Sequence, residues 1–317
     1  MDNDNRLVGF DFLRGVAAFG IVGCHLMLSP RTQLSTLITG LCDVNVGLFA
    51  ALSGYVMVCG RWDCWSGYVI KRARRILPIY LAWTVVYLVL SAIFQVLDGG
   101  VVNARYGNSR WWLNVVFWGS SSAHLWFLVS LLYAQVAMAG LFRNISGTIW
   151  MGCSLCIVLI SIWANNWYVI YPIRLLAFLM LGRGLVSFYG VWLKRCRAKL
   201  LVIGLICMGL HFVPFPYPTG FVRDWFSVAS ILLAFAAWSD WFSGRWAGIA
   251  KFLGVTSMGV YLIHPIFTKG VGIAVRHIFS VPYGIVPVVT DWCVSWLCAL
   301  IVSVVLLRSV KMSWLVR

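Results

Sequence analysis

Apolar stretches long enough to cross a bilayer follow one another from residue 8 to residue 307, with only short interruptions. A chain in hydrocarbon must satisfy every backbone N–H and C=O internally, and a helix that spans needs about 20 mainly apolar residues. The rest of the composition agrees. Of 317 residues, 62% are hydrophobic and 11% are charged, against about 25% charged in an ordinary soluble domain. All nine acidic residues are Asp. Soluble helices use Glu freely on their solvent faces, whereas helices facing lipid have no use for it. The chain therefore reads as an all-α, polytopic membrane protein made of a single membrane domain over residues 1–317.

Ten candidate spans lie near 12–30, 40–60, 77–97, 120–142, 147–165, 168–186, 200–214, 224–242, 252–269 and 286–308. The seventh is short and runs into Pro214, Pro216 and Pro218, as expected of a helix that stops at the membrane surface. With the N-terminus in the cytoplasm, seventeen Lys/Arg fall in cytoplasmic segments and six outside. This positive-inside asymmetry favours ten spans with both termini cytoplasmic. The net charge of +16 is spread in short clusters between apolar runs, which argues against a nucleic-acid partner and for anionic membrane lipid. Phe12–Leu28 contains Arg14 and His25 and is followed by no small-residue cleavage site, so it reads as a retained first helix. The outer segment 98–119 carries Trp111, Trp112 and Trp118 and reads as an interfacial piece. The ten Cys lie mostly in apolar runs and read as packing residues, with no metal site and no disulfide framework.

Ionisable residues inside spans are expensive and usually mark function. The first helix has Asp11, Arg14 and His25. His25 follows Arg14 by eleven positions, which is about 1100°, or three turns plus ~20°, so both side chains share one face ~16 Å apart. Asp11 and Arg14 are three apart and can pair. This places a charged pair near the cytoplasmic surface and an imidazole near mid-membrane. By position alone, Arg14 could instead snorkel to headgroups and His25 hydrogen-bond a neighbouring helix.

Asp11-x-x-Arg14-Gly15 followed by His25 resembles the signature of acyltransferase family 3, membrane enzymes with an Arg and a His separated by ten residues on the first helix. Four more segments are similar to family motifs, in order. These are Asp43 to Phe49 with Ser53-Gly54-Tyr55, Arg72-Ala-Arg74-Arg75 through Tyr80, His124-Leu-Trp126-Phe127-Leu128, and Gly254 to Ser257 with Tyr261-Leu-Ile-His264-Pro265. The resemblance spans nearly the whole chain. It implies a ten-helix bacterial inner-membrane enzyme that moves an acyl group, most often acetyl from acetyl-CoA, onto a hydroxyl of an envelope glycan or lipid-linked glycan such as O-antigen or exopolysaccharide. With Arg317 close behind the tenth span, it implies the stand-alone type without a fused esterase-like domain.

A sugar hydroxyl is a poor nucleophile and needs a base, and His25 has the right intrinsic range. Attack on a thioester builds an oxyanion, for which Arg14 or Ser53 is a candidate donor. Arg72, Arg74 and Arg75, on an expected cytoplasmic loop, suit the phosphates of CoA; the positive-inside rule and anionic lipid would explain them equally. Asp43, Ser53, His124, Trp126, Tyr261 and His264 are candidate acceptor-site residues. His124 could instead be an interfacial residue beside Trp126, Asp43 an ordinary surface carboxylate, and His264 a cap for the carbonyl that Pro265 frees. A carrier of glycan, acyl group or small solute would also use buried Arg and His, but the chain shows no internal repeat and no matching pair of Gly/Pro-broken helices. A purely structural subunit would leave the Arg14–His25 stripe without a role.

Overall fold

The structure is a computed structural model. It describes residues 8–26, 33–58, 65–97, 108–119, 124–141, 146–161, 163, 167–185, 196, 198–200, 202–203, 206–207, 209, 220–237, 242–279 and 284–316. Among them the regular structure is entirely helical: α1 (Val8–Cys24), α2 (Gln33–Val58), α3 (Trp65–Leu97), α4 (Ser109–Trp118), α5 (Trp126–Leu141), α6 (Gly147–Ser161), α7 (Trp167–Leu185), α8 (Gly220–Ala237), α9 (Gly244–Ile278), α10 (Ile285–Arg308) and a final 3-10 turn, Ser313–Leu315. The expected seventh span, 200–214, with its three prolines, lies mostly outside the described residues.

Among the described residues three helices are long and apolar enough to cross a membrane: Trp65–Ile93, Gly244–Val275 and Ile285–Arg308. Their outward faces are apolar. Leu81, Val85 and Val89 on α3, and Leu297, Ile301 and Val305 on α10, are exposed at four-residue intervals. Such stripes on one helix face are costly in water and natural in lipid.

Several helices begin earlier than their apolar windows. Residues 71–75, expected as a loop, are helical and continuous with the span that follows, so α3 starts at Trp65. Arg and Lys are good helix formers; hydropathy marks where lipid contact begins, while backbone hydrogen bonding runs on through the basic turns. Likewise α2 starts at Gln33 and α9 at Gly244. The expected interfacial piece is α4, capped at its start by the Asn108 side chain accepting from Arg110 N at 2.9 Å. It ends at Gly119 in the left-handed region, φ 68°, where glycine carries no Cβ penalty.

The chain divides into two compact units. The first comprises 1–60, 145–165 and 177–317. In it α1 packs along α9 and against α2, and α10 closes over α9. Small residues set the spacing. A Cβ at Gly15 would meet the Leu253 Cβ at 2.5 Å, and one at Gly254 would meet the Asp11 Cβ and Oδ1 at 2.7 Å. Lipid is as apolar as leucine, so membrane helices gain by close van der Waals approach rather than by hiding oily surface. On α6, Ser154 donates to Ala177 O at 2.6 Å and accepts from Trp225 Nε1 at 2.7 Å, tying α6, α7 and α8. The second unit comprises 61–144 and 166–176. There α3 packs on α5, and the Tyr80 hydroxyl donates to Val115 O, tethering α4.

Candidate active site

In the first unit, Asp11 and Arg14 lie on α1 as expected, and Asp11 is buried against Gly254. His25 is placed differently from the sequence expectation. It sits just past the C-terminus of α1 rather than inside a longer helix. Its backbone N–H bonds Val22 O at 3.1 Å, and that of Leu26 reaches Gly23 O at 3.5 Å. The last turn thus tightens to i→i−3 bonding, as helix ends do. His25 is therefore a helix-end imidazole, half-buried.

The long α9 brings a second imidazole to it. The His25 and His264 ring centroids are 5.0 Å apart, with the rings inclined at 45°. His264 is fully buried, and its Nδ1 lies 2.7 Å from Tyr261 O and 3.3 Å from Val260 O. The Tyr261 ring is 6.1 Å from His264 and stacks on Phe49 of α2 at 6.0 Å. Residues from two distant motifs thus form one cluster: His25 from the first, Tyr261 and His264 from the last.

The α2 candidates have defined partners. The Ser53 hydroxyl donates to Phe49 O at 2.9 Å. Its proton is engaged within the helix, so donation to an oxyanion would require leaving that carbonyl. Asp43 is exposed and accepts from the Cys24 thiol. The Arg223 charge on α8 acts on it as well, and Arg223 also bonds Asp224 at 3.4 Å. This thiol–carboxylate–guanidinium group, which includes the residue before His25, was not anticipated from sequence.

The second unit holds the other candidates. Arg72 and Arg75 are three apart on α3 and share a face, and Arg72 lies over the Tyr68 ring at 5.1 Å. Arg74 and Arg75 are exposed. His124 precedes α5 and is buried. The Tyr87 ring of α3 meets it edge-on at 4.8 Å. Trp126, half-buried, opens α5.

A family model described as "Acyltransferase domain" matches residues 7–308, nearly the whole chain. The chain belongs to acyltransferase family 3. No curated protein and no solved structure matches it. The match covers α1 through α10, so both units belong to the family domain. The helices and the family together make the protein a membrane acyltransferase in general terms. Within that frame the His25–His264–Tyr261 cluster is the arrangement best suited to proton transfer. His25, just past the end of α1, lies beside His264 of α9, and Tyr261 of α9 stacks on Phe49 of α2. Asp291 is a further intramembrane carboxylate that sequence reading passed over. It lies buried on α10, accepts from Ser295 at 2.8 Å and faces Gly272 of α9. Its signal was the acid four residues before a hydroxyl in an otherwise apolar helix.

Proposed function

We propose that the protein moves an acyl group, in the simplest case acetyl from acetyl-CoA, onto a hydroxyl of a cell-surface glycan such as O-antigen or exopolysaccharide, with His25 as general base. The observation that carries this reading is His25 at the end of the Arg14 helix, its ring centroid 5.0 Å from that of His264, in a chain of this family. A neutral imidazole in hydrogen-bond reach of an acceptor hydroxyl takes its proton as the oxygen attacks the thioester. The C–O bond forms, the C–S bond breaks, and the proton passes from His25 to the departing CoA thiolate. Arg14, ~16 Å from His25 along the helix, lies too far to touch the oxyanion; its positive charge serves the CoA side of the site, and Asp11, one turn earlier, holds Arg14. Arg72, Arg74 and Arg75 bind CoA phosphates, for which guanidinium is suited. Asp43, Ser53, Tyr261, His124 and Trp126 contribute to the acceptor side.

In this reading the chain resides in a bacterial inner membrane with about ten spans and both termini cytoplasmic, so that the arginines of α3 face the CoA pool. The test is transfer of labelled acetyl. Membranes carrying wild type or His25→Ala are incubated with acetyl-CoA labelled in the acetyl group, and extracted glycans and glycolipids are counted. Label with wild type and none with His25→Ala supports the reading. Equal label in both overturns the role of His25, and no label in either turns the assignment toward another donor or toward transport.

A further inference from the structure

Two cysteines meet where α1 ends against α2. Cys24 is the last residue of α1, and Cys42 lies within α2. The Cys24 thiol stands in hydrogen-bond reach of the Cys42 sulfur as well as of the Asp43 carboxylate. The backbone is equally close: a Cβ at Gly23 would lie 2.5 Å from the Cys42 Sγ. Cys42 is fully buried in a small apolar cluster with Leu26, Ile38 and Val288, and Cys24 packs against that cluster. Both are free thiols, and Cys24 is half-buried. A single buried thiol is a small hydrophobe and fills space like one. Packing asks for neither two sulfurs in contact on facing helices nor a carboxylate on one of them.

We propose that Cys24 and Cys42 form a redox site: a disulfide donor oxidises them to a bond between α1 and α2, and that bond switches off the neighbouring His25. Asp43 takes the Cys24 proton as the sulfur attacks the donor, which gives a mixed disulfide and one released thiol. Cys42 then attacks the Cys24 sulfur. The internal S–S bond forms, the mixed one breaks, and the second half of the donor leaves. The Cys24 proton, relayed by Asp43, and the Cys42 proton end on the two released thiols. Two protein thiols are oxidised and one donor disulfide is reduced. An S–S bond is ~2.05 Å long, shorter than a contact between two thiols, so the end of α1 is drawn toward α2. His25 is the next residue, held by its N–H on Val22 O, and its ring moves from its place 5.0 Å from that of His264. Asp43 at the same time loses the thiol proton that it accepts. In the ten-span arrangement proposed above this end of α1 faces outward, where disulfides persist. The loss of activity rests on the reading of His25 as the base; the formation of the bond does not.

Full-length protein in membranes is treated with dipyridyl disulfide, a small apolar donor. Remaining thiols are alkylated, and peptides are mapped by mass spectrometry with and without reduction. Labelled acetyl transfer is measured on the same samples before oxidation, after it, and after dithiothreitol. Cys42→Ala and Cys42→Ser are carried alongside, each compared with its own untreated sample. The expected result is that the peptides holding Cys24 and Cys42 are joined until reduced. Transfer by the wild type falls by about 10²-fold on oxidation and returns on reduction, while both variants keep their transfer through the same treatment. Peptides that stay separate would overturn the redox site. Joined peptides with unchanged transfer, or an equal loss in the Cys42 variants, would overturn its control of His25. If the peptides join and His25→Ala is as active as wild type, the base reading falls while the redox site stands.

Discussion

Asp11 of α1 is pressed against Gly254 of α9, so closely that a Cβ at 254 would stand 2.7 Å from both its Cβ and its Oδ1. The near atom is the stem of a short side chain rather than the end of a flexible one. Gly254→Ala must therefore push α1 and α9 apart. The expected outcome is a loss of about 1–3 kcal/mol of stability in thermal unfolding of the detergent-solubilised protein. Transfer should fall further than stability alone would cause, because the same two helices set the distance between His25 and His264.

His25→Ala and Arg14→Ala should each reduce acyl transfer by about 10²–10⁴-fold while membrane insertion stays intact. Labelled acetyl incorporation against the amount of protein in washed membranes checks both halves. Near-normal activity in either variant would remove that residue from the mechanism.

Arg72 and Arg75 share one face of α3. Replacing both with Ala should raise the apparent KM for acetyl-CoA by about tenfold or more, with the dependence on acceptor little changed. Lys at both positions should restore less than half of the loss, because ammonium lacks the planar fork that fits phosphate. A decrease confined to protein level in the membrane would assign the arginines to lipid anchoring instead.

Ser154 is fully buried and serves two partners at once, donating to Ala177 O and accepting from Trp225 Nε1. Ser154→Ala leaves a buried indole N–H without its acceptor, at a cost of about 1–3 kcal/mol. The solubilised variant should unfold at lower temperature, with its apparent KM for acetyl-CoA unchanged. Ser154→Thr keeps the hydroxyl and should recover part of the difference.

The membrane class, the helical secondary structure and the place of Asp11 and Arg14 on the first helix were legible in the sequence. Each of these is a local property. Hydropathy over a window and residue spacing along one helix need no knowledge of a partner. Helix starts were less legible. Basic turns such as 71–75 interrupt an apolar window without interrupting backbone hydrogen bonds. Which residues from different helices meet followed from tertiary packing. It placed His264 beside His25, turned the Ser53 hydroxyl onto Phe49 O, buried His124 under Tyr87 and gathered Cys24, Asp43 and Arg223. Membrane helices choose their neighbours by close fit. Their outer and inner faces are similarly apolar, so small residues such as Gly15 and Gly254 and a few polar contacts decide which faces touch. Those choices are written in shape complementarity between distant segments, which a linear reading of hydropathy does not contain.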